Sequence, residues 1–203
     1  MNICSCEVKH HQLKKIVITG GPGAGKTALL ETTKKEFCQH VAVLPEAAGI
    51  IFGGGFWRHN SIPGRKAAQR AIYFVQNEIE NLITEENNTV VALCDRGTLD
   101  SLAYWPLSES LFWEDLNTTK EKELSKYAAV IHLHPPKKSN GYNRQNPLRI
   151  ETDIEAAEID KRIVQAWEGH PNRFFIDSEE DFLVKITKAS QTIRKHIPDC
   201  CKK

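Results

Sequence analysis

Residues Gly20, Gly21, Pro22, Gly23, Ala24, Gly25, Lys26 and Thr27 stand consecutively and satisfy the pattern G-x-x-x-x-G-K-[ST]. Glycines at these places let the backbone turn so that successive N–H groups converge on a phosphate. The Lys26 ammonium then reaches the β and γ phosphates of a nucleoside triphosphate, and the Thr27 hydroxyl offers an oxygen to magnesium. Ala28 follows in the first turn of a helix, whose dipole adds to the anion site. The motif calls for ATP or GTP, with magnesium, as the bound pair. A plain glycine turn is the bland alternative; the apolar run before the loop and the helical run after it argue against that.

A second chemical signal lies at Val90 to Arg96, where an apolar run ends in an acid followed by a base. An acid at the end of a neighbouring strand can approach magnesium, which makes Asp95 a metal candidate, although it could equally cap the turn that follows. Motor ATPases often carry a glutamate where this chain has Arg96, a residue suited to gripping a phosphate or a substrate hydroxyl with two bonds; a surface ion pair is the alternative. Neither the N-K-x-D string of guanine-reading switches nor the L-S-G-G-Q signature of transporter ATPases occurs. Phosphoryl transfer to a small acceptor, in which the protein mainly supplies position and charge, is the chemistry that remains.

These groups need a scaffold. Short continuous apolar runs at Lys15–Thr19, Val41–Pro45, Val90–Asp95, Ala128–Leu133 and Arg173–Asp177 read as strands buried on both faces. Helical periods fill the gaps at Lys26–Phe37, Lys66–Glu85, within Thr98–Tyr127, at Asp153–Trp167 and from Glu179 to about His196. In the second of these, Ala67, Ala71, Ile72, Val75, Ile79, Leu82 and Ile83 share one face. The expected fold is α/β: a five-stranded parallel sheet with helices on both faces and the ligand outside the carboxyl ends of the strands. The stretches 53–64 and 134–150 fit no element, and long irregular loops in compact domains usually carry function.

With 203 residues, the chain is expected to form one domain over 14–197, between a flexible N-terminus at 1–13 and a tail at 198–203. A net charge of +1 without a basic arm points away from nucleic acid and leaves a local basic pocket open. Six cysteines without framework spacing indicate a reducing, cytoplasmic setting; Cys4, Cys6, His10 and His11 could hold zinc, a frayed end with free thiols being the simpler reading. Nothing approaches a membrane span, and the last four residues lack a prenylation box.

In order along the chain, "VITGGPGAGKTALLE", "VLPEAAG", "DRGTLDSLAY" and "RIETDIEAAEIDKRI" resemble a branch of P-loop proteins related to ribosylnicotinamide and deoxynucleoside kinases, including ATP-binding proteins labelled AAA-like. The resemblance spans most of the chain and implies a P-loop NTPase fold of nucleoside-kinase type. It implies that Glu46 lies near the acceptor hydroxyl as base, that Asp95 lies near magnesium and that Arg96 lies near the acceptor or the transferring phosphate. It matches Gln76 to a glutamine that reads a base, and Arg144 and Arg149 to lid arginines that close over the phosphates near 134–150. Trp57, in a stretch without a nameable signature, could stack on a base or anchor its loop. The implied activity is transfer of the γ-phosphate to a nucleoside-like or ribosyl hydroxyl. The alternative is a nucleotide-switched regulator with weak hydrolysis, since relatives of this branch include trafficking proteins that bind guanine nucleotides and phosphoinositides.

Overall fold

A computed structural model describes residues 12–135, 153–177 and 182–201. Five strands form one sheet: β1 (Lys14–Thr19), β2 (Val41–Leu44), β3 (Val91–Asp95), β4 (Ala129–Leu133) and β5 (Arg173–Ile176). Their spatial order is β2-β3-β1-β4-β5, and every pairing is parallel. The expected five-stranded parallel sheet is therefore present, with each strand within a residue of its anticipated ends. Because β1 sits between β3 and β4, the chain leaves it at a point where the sheet grows in both directions, the crevice where ligands of such folds bind.

Side chains alternate across the strands, so each face has its own core. Ile16, Ile18, Leu93, Ile131 and Leu133 pack under α1 (Lys26–Glu36) and α8 (Phe182–Arg194). Val17, Ala92, Cys94 and Val130 pack on the opposite side against Ile159, Ile163 and Trp167, of which the first two belong to α7 (Asp153–Ala166). The numbering in between is α2 (Ala47–Gly53), α3 (Ile62–Glu86), α4 (Asp100–Ala103), α5 (Glu109–Leu116) and α6 (Lys120–Leu124).

The structure differs from the sequence reading in four respects. α3 begins at Ile62, not Lys66, because the Ser61 hydroxyl accepts from Gly64 N at 3.2 Å and Pro63 stands in the first turn, where its missing N–H costs nothing. The stretch 53–64 is consequently irregular only between the end of α2 and that cap. The helical stretch within Thr98–Tyr127 is three short helices; Asn117, with φ 49°, ends the second of them. α3 also buries a different stripe, Gln69, Tyr73, Gln76 and Glu80, while Leu82 is 60% exposed. Finally, within the stretch set apart as a tail, a 3-10 turn at Asp199–Cys201 brings Cys201 into the core cluster that includes residues of α8. Among the described residues, no helix is long and apolar enough to cross a membrane.

Candidate functional site

From Thr19 the chain turns through a loop in which Gly20, Gly23 and Gly25 all have positive φ. A Cβ on Gly20 would lie 2.1 Å from the Leu133 carbonyl oxygen of neighbouring β4, so the loop can leave the sheet here only without a side chain. The loop is braced from two helices. Gly21 N donates to Asp160 Oδ1 on α7 at 2.6 Å, and His132 Nε2 and His134 Nδ1 each lie 2.9 Å from the same carboxylate. Burial works against the Asp160 anion, but these three partners outweigh it and hold its pKa below the usual value. From α8, Lys185 Nζ donates to Ala24 O at 2.8 Å and to His134 O, with burial lowering its pKa to about 8.

Lys26 opens α1 and is buried, its ammonium donating to Gly20 O at 2.7 Å and to Gly21 O at 3.0 Å. Burial, and next the Arg96 charge, lower its pKa to about 7 against the pull of Asp95, Glu46 and Asp100. Asp95 ends β3 beside Ile18 of β1. Burial, helped by Glu46 and Asp100, raises it to about 6, while Lys26 and Arg96 oppose that rise. Lysine, aspartate and arginine thus share one poorly solvated pocket, where small changes in charge move each of them.

Arg96 is bent into the left-handed region at φ 71°, a conformation that costs a non-glycine residue about 1–3 kcal/mol and is found where function requires it. Its backbone N–H bonds to Ile18 O at 3.1 Å, and its side chain is thereby aimed back over the strand ends. Arg96 Nε donates to Glu46 Oε1 at 2.6 Å, and one terminal nitrogen lies 3.4 Å from Asp100 Oδ2. Burial opposes this guanidinium charge, yet Tyr104, Glu46 and Asp100 hold its pKa well above normal. Glu46 follows β2 at the start of α2, so the pair joins the ends of two adjacent strands. Asp100 is anchored in turn by Thr19 Oγ1, 2.7 Å from Oδ2, and by Trp167 Nε1, which donates to Oδ1 at 2.6 Å.

A cavity of about 300 Å³ opens beside the loop, lined among others by Lys26, Thr27, Glu46, Asp95, Arg96 and Gln76. Residues Gly20, Gly21, Ala24 and Ala28 belong to the loop and first turn and do not line that cavity. Thr27 and Asp95 are hard oxygen donors that both line this cavity; a dication there would stabilise the carboxylate that burial disfavours, so their chemistry fits magnesium.

Gln76 is buried and donates to Glu80 Oε1 at 2.9 Å; Glu80 also accepts from Tyr127 OH at 2.8 Å and pairs with Lys15 at 3.2 Å. Tyr127 OH accepts from Thr98 N, and the Thr98 hydroxyl donates to Glu123, which also accepts from Tyr73. This network supports the far wall and holds Gln76 in place.

Trp57 is 81% exposed and is not among the lining residues, its ring meeting the edge of His59. Its neighbours Arg58, His59 and Asn60 do line the cavity, as do Arg65, Gln69 and Tyr104, none of which sequence reasoning singled out. Arg144 and Arg149 lie outside the described residues, as do Cys4, Cys6, His10 and His11. Asp100 and Asp160 were also missed. Asp100 sits within the quoted "DRGTLDSLAY", and Asp160 is an acid inside the buried stripe of Ala156, Ile159 and Ile163, an unusual place for a charge without a partner.

Residues 15–183 match a protein family described as an AAA domain. No curated protein matches the sequence. Among solved structures, a deoxyadenosine kinase from M. mycoides with bound dATP superposes with a TM-score of 0.57 at 15% identity, over 89% of this chain and 99% of that one. A thymidylate kinase from Ehrlichia chaffeensis gives a TM-score of 0.60 at 12% identity, over 89% and 98%. Both likenesses are likenesses of fold.

Proposed function

The chain belongs to that AAA domain family, a P-loop family of nucleoside-kinase-like fold, and from this premise we propose that it is a magnesium-dependent phosphotransferase acting on a small hydroxyl acceptor of nucleoside or ribosyl type. The observation that carries the reading is the convergence of Lys26, Glu46, Asp95 and Arg96 on one cavity, with space beyond them walled by Gln69, Gln76 and Tyr104. Its volume of about 300 Å³ suits a ligand the size of a nucleoside.

In this reading the loop N–H groups and Lys26 hold the β and γ phosphates of a triphosphate, ATP or GTP, and Lys26 exchanges its two loop carbonyls for phosphate oxygens. Thr27 and Asp95 would hold magnesium, which would neutralise part of the phosphate charge. Glu46, positioned by Arg96, takes the acceptor's hydroxyl proton as that oxygen bonds to the γ phosphorus; the bond to the bridging oxygen breaks, and the diphosphate leaves with the electron pair. Arg96 faces the charge that accumulates during transfer. Gln76 reads the acceptor's polar edge, and Arg144 and Arg149 close over the phosphates to exclude water. The buried cysteines Cys38, Cys94 and Cys201, which form no disulfide among the described residues, support a reducing, cytoplasmic setting.

Exposed Phe56 and Trp57 beside the cavity favour a second reading, a nucleotide-switched binding protein whose apolar loop meets a partner. The two separate on triphosphate consumption with magnesium, first without acceptor and then with a panel of nucleosides, ribosylnicotinamide and other small hydroxyl compounds. Turnover that depends on one acceptor is expected. Tight nucleotide binding without acceptor-dependent turnover across the panel refutes the transferase and leaves the switch.

A further inference from the structure

At the opposite end of the sheet from the cavity, Cys38, His40 and Cys201 converge. Their donor atoms all lie within 4.8 Å of one another, and Cys201 Sγ is 3.4 Å from His40 Nδ1. Cys38 and His40 belong to the connection between α1 and β2, while Cys201 arrives from the 3-10 turn 161 residues away. From these three residues we propose a structural zinc site, remote from the nucleotide, that fastens the C-terminal turn to the start of β2.

The ligand chemistry is selective. Two thiolates and an imidazole make a borderline-soft set that suits zinc and is foreign to magnesium. Bond lengths of about 2.3 Å to sulfur and 2.0–2.1 Å to nitrogen at a tetrahedral angle put a sulfur and a nitrogen ligand about 3.6 Å apart, and two sulfurs about 3.8 Å apart. The observed sulfur to nitrogen separation of 3.4 Å is already close to that value. The separations to Cys38 lie within 4.8 Å, so seating an ion asks the donors to close by at most about 1 Å, a range that side-chain rotation covers. Cys38 and Cys201 are 3% and 1% exposed, whereas His40 is half-buried, which leaves an entry path on the histidine side and room for water as fourth ligand.

The surroundings are already ordered for such a clasp. His40 O accepts from Val90 N at 2.8 Å and Val91 N at 3.2 Å, Cys201 N donates to Pro198 O at 2.9 Å, and Arg194 of α8 pairs with Glu36 at the end of α1. An ion here would tie the far end of the helix that begins at Lys26, and the strand that leads to Glu46, to the last turn of the described chain.

The His132, His134 and Asp160 cluster also has metal-ligand spacing, but its carboxylate is committed to Gly21 N and both imidazoles and serves to brace the phosphate loop. It contains no sulfur, and this difference gives the test its discrimination.

The full-length, reduced protein is stripped with a chelator and titrated with cobalt, then competed with zinc. The expected result is one ion per chain, a thiolate-to-cobalt charge-transfer band with tetrahedral visible bands, displacement by zinc and a rise in Tm with zinc. Cys201→Ser and His40→Ala should each weaken binding by more than about 100-fold, since loss of a mere outer-shell partner already costs 10–100-fold. The double variant Cys4→Ser, Cys6→Ser should bind as wild type. Nucleotide-induced thermal stabilisation reports whether Cys201→Ser and His40→Ala still fold, and the wild-type spectrum stands without any variant. Absence of the charge-transfer band in the wild type, its loss in the Cys4 and Cys6 variant, its survival in Cys201→Ser, or a disulfide between Cys38 and Cys201 in place of a bound ion each overturns the proposal.

Discussion

Raising the pH from 7.5 to 8.5 should weaken magnesium-free nucleotide binding by about eightfold, through one side chain. The Lys26 pKa is lowered to about 7, chiefly by burial and next by the Arg96 charge, so above that pH its ammonium is the minority form. A phosphate needs the charged form, and apparent affinity scales with the charged fraction, which falls from about a quarter to about 3% over this interval. The window lies above the phosphate's own last ionisation near pH 6, so the ligand's charge stays constant. Omitting magnesium keeps Asp95 from contributing through a bound ion. Isothermal titration calorimetry at each pH, in two buffers of different ionisation heat, gives both the affinity and the proton count. Near pH 8.5, binding should take up close to one proton per nucleotide, and in Lys26→Ala both the slope and the uptake should vanish. An affinity flat across the interval, or a slope that persists in Lys26→Ala, refutes the assignment of Lys26 as a buried, nearly neutral phosphate ligand. The same shift acts on the free protein with a definite sign. Between pH 7 and 10.5 the unfolded chain carries the Lys26 proton and the folded one does not, so this group makes stability rise with pH across that range.

Two further variants check the rest of the site. Glu46→Gln should lower acceptor-dependent turnover by about 10²–10⁴-fold while nucleotide affinity stays within about threefold, because a general base contributes that much to transfer and little to binding; wild-type turnover measured by product formation would remove Glu46 from the base role. Asp160→Asn should destabilise the fold by about 1–3 kcal/mol at neutral pH, through loss of charge-assisted bonds to Gly21, His132 and His134, as measured by urea unfolding. Since the folded Asp160 pKa lies below the ordinary 3.8, this contribution is present above that value and disappears as pH falls through the folded pKa, so wild type and variant should converge in acid. A constant difference down to the lowest pH would show that the charge is not what matters.

What could be read from sequence and what could not divide along the range of the interactions involved. The phosphate loop is eight consecutive residues, and each of its requirements, glycines at positive φ, a lysine at the helix start and a strand before it, is local. The strands were legible for a similar reason: a parallel strand covered on both faces is short and largely apolar, as β3 and β4 are. Asp95 and Arg96 were read from the polar end of the third apolar run, whereas Glu46 came from the resemblance to nucleoside kinases.

The periodicity of α3 misled, because its buried stripe is Gln69, Tyr73, Gln76 and Glu80 and its hydrogen bonds run to residues as distant as Glu123 and Tyr127. A buried polar residue is tolerated only where a partner waits for it, and partners are not visible along one helix. The same holds for Asp160, which braces a loop 139 residues earlier in the chain. It holds most plainly for Cys38, His40 and Cys201, whose spacing in the chain signals nothing and which meet only because β2 starts where the turn after α8 packs. Local steric demands and strand hydrophobicity determined the nucleotide loop and the sheet; only the tertiary structure, by bringing distant polar groups within bonding distance, decided what supports them and where Cys38, His40 and Cys201 meet.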